Sequence, residues 1–173
     1  MRVLISVDME GVAGVVMMDH VVSGKKEYDR FRRLMTAEAN AAIEGAMTGG
    51  ATEVVVNDGH GNMANLLIED LNPAAELISG SPKPYAMMEG IGPDVDAVFL
   101  VGYHAASGTG AAVLEHTWSG RIVELRLNDQ VVGETGLNAA LAGAFDAPVV
   151  LVTGDRAVTE EARALLGEIE TEI

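Results

Sequence analysis

Met1-Arg-Val-Leu-Ile-Ser-Val-Asp-Met-Glu-Gly11 is the stretch from which the rest of the chain can be read. Val3, Leu4, Ile5 and Val7 form a short apolar, β-branched run of strand length. Residues two apart on a strand share a face. Asp8 and Glu10 therefore project together from its C-terminal end, about 7 Å apart at the backbone on a rise of roughly 3.3 Å per residue. Like charges held that close repel unless a positive group sits between them. A metal ion is the simplest such partner; a helix cap beside a solvated loop acid is the alternative.

Outward from this strand, Gly11 to Gly24 is a glycine-spaced loop that holds His20, to which no role is given. Phe31, Leu34, Met35, Ala39, Ala42, Ile43 and Met47 recur at helical spacing. The spacing predicts a helix from Lys26 to Met47, stopped by Gly49-Gly50. Thr52 to Asn57 reads as a second buried strand, and strand–helix–strand over this length is a βαβ unit with parallel strands. Asp58-Gly-His-Gly-Asn62 is a turn-rich loop, Glu76 to Ser79 a short strand, Tyr85 to Gly90 a helical turn, and Ala97 to Tyr103 a strong strand running into His104. Arg121 to Leu127 and Gln130 to Val132 flank Asn128-Asp129 as a hairpin. Gly133-Glu134 opens a helix through Ala144, Pro148 to Thr153 is a last strand, and Thr159 caps a last helix to about Glu170. The expected fold is α/β: a mostly parallel sheet with helices on both faces and a β-hairpin insertion, forming one domain over residues 1–173.

Composition narrows the function classes. Hydrophobic residues make up 49% of the chain, which argues against disorder, while aromatics at 4% leave the core to aliphatic side chains and methionine. Cysteine is absent, so disulfides, thiolate metal sites and cysteine nucleophiles are excluded, in keeping with a reducing, cytoplasmic setting. No signal segment is expected at the N-terminus, and no apolar stretch reaches the ~20 residues that span a bilayer. The net charge of −15 would repel nucleic-acid backbones and anionic membranes and suits cations or a substrate with a free amine.

Ligands of such sheets sit outside the carboxyl ends of the strands. Asp8 and Glu10, His60, His104 and Glu134 all fall there, although each alone has a bland reading, Glu134 as a first-turn helix acid among them. Five donors are too many for one tetrahedral zinc and suit two metals sharing a carboxylate, with Asp8 as the expected bridge. Three carboxylates, two divalent ions and a bridging hydroxide sum to zero charge. Mixed imidazole and carboxylate ligands favour two Zn2+, with Mn2+ or Co2+ as substitutes. A dizinc site activates a hydroxide nucleophile near neutral pH. His116, in a glycine-flanked loop near His104, is either the proton carrier for the leaving group or a structural histidine. His-Glu-x-x-His, the phosphate-loop pattern and Gly-x-Ser-x-Gly are missing.

Ser6-Val-Asp-Met-Glu-Gly11, Val56-Asn-Asp-Gly-His-Gly61, Leu100-Val-Gly-Tyr-His104, Glu115-His-Thr-Trp118 and Asn128 through Gly-Glu-Thr-Gly-Leu-Asn138 occur in one order along the chain. Together they resemble the D-aminopeptidases of bacterial dipeptide-transport operons. The resemblance implies a dinuclear zinc peptidase releasing N-terminal D-amino acids from short peptides or amides. It places the zinc ligands at Asp8, Glu10, His60, His104 and Glu134 and a catalytic histidine at His116, and it implies a homo-oligomeric ring. Family members are longer, so their C-terminal portion is expected to be absent from this chain. Two other readings remain open: another dinuclear-metal amidohydrolase or deacylase, and a non-catalytic α/β binding module with structural histidines.

Overall fold

In the computed structural model, which describes residues 1–173, β1 (Arg2–Val7) leads through a short helix α1 (Met18–Val21) and the long α2 (Tyr28–Thr48) to β2 (Glu53–Asp58) and β3 (Glu76–Ile78). A 3-10 turn at Ala86–Met88 precedes β4 (Ala97–Tyr103). The hairpin β5 (Arg126–Leu127) and β6 (Gln130–Val131), α3 (Glu134–Gly143), β7 (Val149–Gly154), α4 (Arg156–Leu166) and β8 (Glu170–Glu172) complete the chain. Six strands make one sheet in the order β3-β2-β1-β4-β7-β8, every pairing parallel, and β5-β6 stand apart as an antiparallel pair.

Alternation along β1 explains the layers. Val3, Ile5 and Val7 pack with Phe31, Met35, Ala39 and Ile43 of α2, while Leu4 turns to the other face and joins Leu100, Val152, Ala142, Val158 and Ala162, which brings in α3 and α4. Helices on both faces leave the inner strands no solvated side, so they read as continuous apolar runs. The buried stripe of α2 is Phe31, Met35, Ala39, Ile43 and Ala46; Leu34 and Met47, counted into the stripe from sequence, are exposed. No helix is long and apolar enough to cross a membrane.

The last segment departs from expectation. The final helix starts at Arg156 rather than Thr159, and its cap is Asp155, whose Oδ1 accepts from Val158 N at 2.8 Å. Thr159 instead lies buried in the first turn, its hydroxyl donating to the Arg156 carbonyl at 2.9 Å. The helix ends at Leu166 and Glu170–Glu172 form an edge strand on β7. The hairpin keeps its Asn128-Asp129 turn, but only two residues pair on each side.

A candidate dinuclear metal centre

The register sets the site. Val7 lies opposite Asp58 on one side and Val101 on the other, so β1, β2 and β4 end at one edge of the sheet. Beyond Val7 the backbone stays tied to β4: Asp8 N donates to Val101 O and Gly11 N to Gly102 O, each at 2.8 Å. This approach tolerates no side chain, since a Cβ on Gly11 would collide with the Tyr103 carbonyl, and so would one on Gly154 from the opposite side. The carboxyl ends are thereby pressed together where Asp8, Glu10 and His104 emerge.

His60 is held from behind. Asp58, fully buried, accepts from Asn65 N and Leu66 N at 2.5 and 2.7 Å, and Asn65 Nδ2 donates to the His60 carbonyl at 2.6 Å. His60 Nε2 lies 2.8 Å from the Val21 carbonyl of α1. A carbonyl only accepts, so Nε2 carries a hydrogen and Nδ1 is the atom turned to the carboxylates. Likewise His104 Nδ1 donates to the Ala105 carbonyl at 3.0 Å, leaving Nε2 for the site, and His116 Nδ1 donates to Leu114 O at 2.9 Å.

The donor atoms converge. His60 Nδ1 is 3.1 Å from Asp8 Oδ1 and 3.0 Å from Glu10 Oε2. His104 Nε2 is 3.4 Å from both Asp8 Oδ2 and Glu134 Oε1, and His116 Nε2 is 3.7 Å from Glu134 Oε1. Ligands of one tetrahedral ion at ~2.1 Å stand roughly 3.4 Å apart. Asp8, Glu10 and His104 form one triad whose ligand atoms lie within 4.8 Å of one another, and His104, His116 and Glu134 form a second. Asp8 turns its two oxygens to different histidines, as a carboxylate shared by two cations would. Glu134 opens α3 and also accepts from Trp118 N at 2.6 Å, which leaves it fixed.

Two atoms test the fit. His104 Nε2 is buried without a hydrogen bond, and Glu10 Oε2 has only the His60 ring beside it at 3.0 Å, although both atoms look into the cluster. A buried polar atom without a partner costs about 1–3 kcal/mol. A cation accepting both donors removes that cost, so the residues fit a metal. Without a cation, protons fill the same need. Burial and the neighbouring Glu10 push the Asp8 carboxyl up. Burial works the same way on Glu10, but the His60 ring beside it wins and holds Glu10 down at about 2. Burial favours neutral imidazole, yet the Asp8 and Glu10 carboxylates raise His60 to about 11, and Glu134 with Asp8 raises His104 to about 10.

Asp8, Glu10, Gly61, Met63, Met87, His116 and Trp118 line a cavity of about 180 Å³ over these atoms. A larger apolar groove of about 440 Å³, between α2 and the β4–β7 part of the sheet, holds none of the donors. Size therefore does not mark the site; converging ligand atoms do.

All six residues named from sequence are brought together, and His20 is not. It is buried away from the cluster, stacked on Phe31 with centroids 3.7 Å apart. Sequence reasoning missed the supports: Asn65, the Val21 carbonyl and the Trp118 amide. The last two are backbone groups and leave no mark in a sequence. Asn65 sits in the loop after β2, and only its polarity beside the apolar Leu66-Leu67 pair would have hinted at burial.

The D-aminopeptidase of Bacillus subtilis strain 168 is 43% identical over 171 residues, covering 99% of this chain and 62% of the relative. The structure described as the Zn-dependent D-aminopeptidase DppA from Bacillus subtilis, a self-compartmentalizing protease, superimposes with a TM-score of 0.97 over the same 99% and 62%. The chain thus spans 62% of the length of the curated relative it matches. The profile of the D-aminopeptidase family (Peptidase_M55) matches residues 1–173. By that full-length match and by the identity of its relative, the chain belongs to the D-aminopeptidase family (Peptidase_M55).

Proposed function

We propose that residues 1–173 form a catalytic domain of a metal-dependent aminopeptidase that holds two zinc ions through Asp8, Glu10, His60, His104 and Glu134. The supporting observation is Asp8, whose oxygens lie 3.1 Å from His60 Nδ1 and 3.4 Å from His104 Nε2, between the two halves of the donor set. Bound there, a pair of divalent cations supplies Lewis acidity and a water nucleophile at neutral pH. The chain's own residues do the remainder. Asp8 spans the halves, and the Val21 and Ala105 carbonyls hold His60 and His104 in the ligating tautomer. His116, half-buried at the cavity wall with Nε2 facing inward, carries the proton to the leaving amine. Met63, Met87 and Trp118 enclose the substrate's terminal residue.

Short peptides or amino-acid amides with an N-terminal D-residue are the substrates in this proposal, supported by the family and by the Bacillus relative. Homo-oligomerisation, as a ring, is supported by the description of that relative's structure as self-compartmentalizing. A cytoplasmic setting is supported by the cysteine-free composition.

The test pairs D-alanine and L-alanine amides, with and without chelator, alongside elemental analysis. Expected are close to two equivalents of zinc and turnover of the D-amide that chelator abolishes and zinc restores. Equal turnover of both amides overturns the D-preference. Absence of bound transition metal overturns the metallopeptidase in favour of a binding module. A second reading has one observation behind it: His116 lies in a triad with His104 and Glu134, the geometry of a ligand. Loss of metal from a His116→Ala variant would select it.

A further inference from the structure

Glu161 stands on α4, outside the donor set, and no part of the proposed chemistry uses it. Its Oε2 accepts from Ala106 N at 2.8 Å, and its Oε1 is buried without a hydrogen bond. Ala106 N belongs to the same peptide unit as the Ala105 carbonyl. That carbonyl accepts from His104 Nδ1 at 3.0 Å and from His116 N at 3.3 Å. A single peptide plane therefore links the Glu161 carboxylate at one end to the His104 ring and the His116 backbone at the other.

We infer that Glu161 is a positioning residue for the metal centre, acting on His104 through the Ala105–Ala106 peptide. The inference rests on His104 being a metal ligand. A carboxylate accepting from a peptide N–H pushes electron density toward that unit's carbonyl, which then accepts more strongly, and hydrogen bonds in a chain reinforce one another. A stronger acceptor at Ala105 O holds the His104 Nδ1 hydrogen and raises the donor strength of Nε2. Carboxylates that contact a ligating histidine directly do the same. Here a peptide unit is interposed. It also ties the His116 backbone to the same support. Glu161 Oε1 lies against Gly133, where an added Cβ would meet it at 2.9 Å.

The test compares the whole chain with Glu161→Gln and Glu161→Ala. Zinc affinity is measured by competition with a chromophoric chelator, and the Ala106 amide and His104 Nδ1 proton signals by NMR on the metal-free protein. Glutamine keeps an acceptor oxygen and loses the charge; alanine loses both. Glu161→Gln is expected to shift both proton signals and weaken zinc binding by about threefold. Glu161→Ala is expected to weaken it by about tenfold. The inference is overturned if Glu161→Gln moves the Ala106 amide signal while the His104 signal and zinc affinity stay at wild-type values. This outcome is readable even if the alanine variant fails to fold. Should the wild-type chain bind no zinc, the metal proposal fails separately, and the His104 signal still decides whether the peptide transmits the effect.

Discussion

His104 and His116 are stacked, their ring centroids 3.9 Å apart and their planes inclined by 13°. The pair divides by exposure: His104 is sealed in, while the His116 side chain keeps 28% of its surface open at the cavity wall. A sealed ring suits a permanent ligand and an accessible one suits proton exchange with substrate and solvent. His116→Ala should therefore keep the full metal content and lose about 10²–10⁴-fold in kcat with little change in KM. Elemental analysis and steady-state kinetics on one preparation check both halves.

Asp8 turns one oxygen to His60 and the other to His104, so it reaches both halves of the donor set. Asp8→Asn should lower binding at both positions, leaving less than one zinc per chain. Glu10→Gln removes a carboxylate that lies nearest His60 and should leave close to one. Equal loss in the two variants would contradict the bridging assignment.

Metal uptake should release protons. Without a cation, His60 and His104 titrate at about 11 and about 10, above the ordinary histidine value near 6.5. A raised folded-state value means that protonation favours the fold. The contribution of each ring to metal-free stability is present below about pH 6.5 and is lost as pH climbs through 10 and then 11. Zinc must displace the same protons, so its affinity should rise with pH from about 7 to 10. Calorimetry in buffers of different ionisation heat should find protons released on zinc binding near pH 7.5. No release would mean the rings are already neutral.

Gly11 and Gly45 should respond to alanine in opposite ways. A Cβ on Gly11 meets the Tyr103 backbone, so Gly11→Ala should cost about 3 kcal/mol or more and disturb the Asp8–Glu10 segment. Gly45 lies inside α2 with open space around it, and Gly45→Ala should stabilise by about 1 kcal/mol. Thermal melts of both variants test the pair.

The parts of the fold legible in sequence are those where one physical signal dominated. β1 and β4 are apolar because both faces are covered, and the side chains that follow them had to be polar for another reason. In the C-terminal segment two signals compete. Thr159 is a credible cap residue, yet Asp155 lies nearer the strand exit and bonds Val158 N. Glu170-Thr171-Glu172 carries no apolar pattern because it is an edge strand, where charged side chains are the rule. At the site, the donors announced themselves as two of only four histidines just past strand ends, with paired acids after the first strand and an acid at a helix start. Their supports did not, since Val21 O, Trp118 N and the Ala105–Ala106 peptide act through backbone atoms that any residue offers.

The most direct test is anomalous scattering at the zinc edge from crystals of the zinc-loaded protein. The expected result is two peaks about 3.5–4 Å apart, with Asp8 between them, Glu10 and His60 on one and His104 and Glu134 on the other. A single peak, or zinc bound elsewhere while these five side chains hold only protons, would contradict the dinuclear centre.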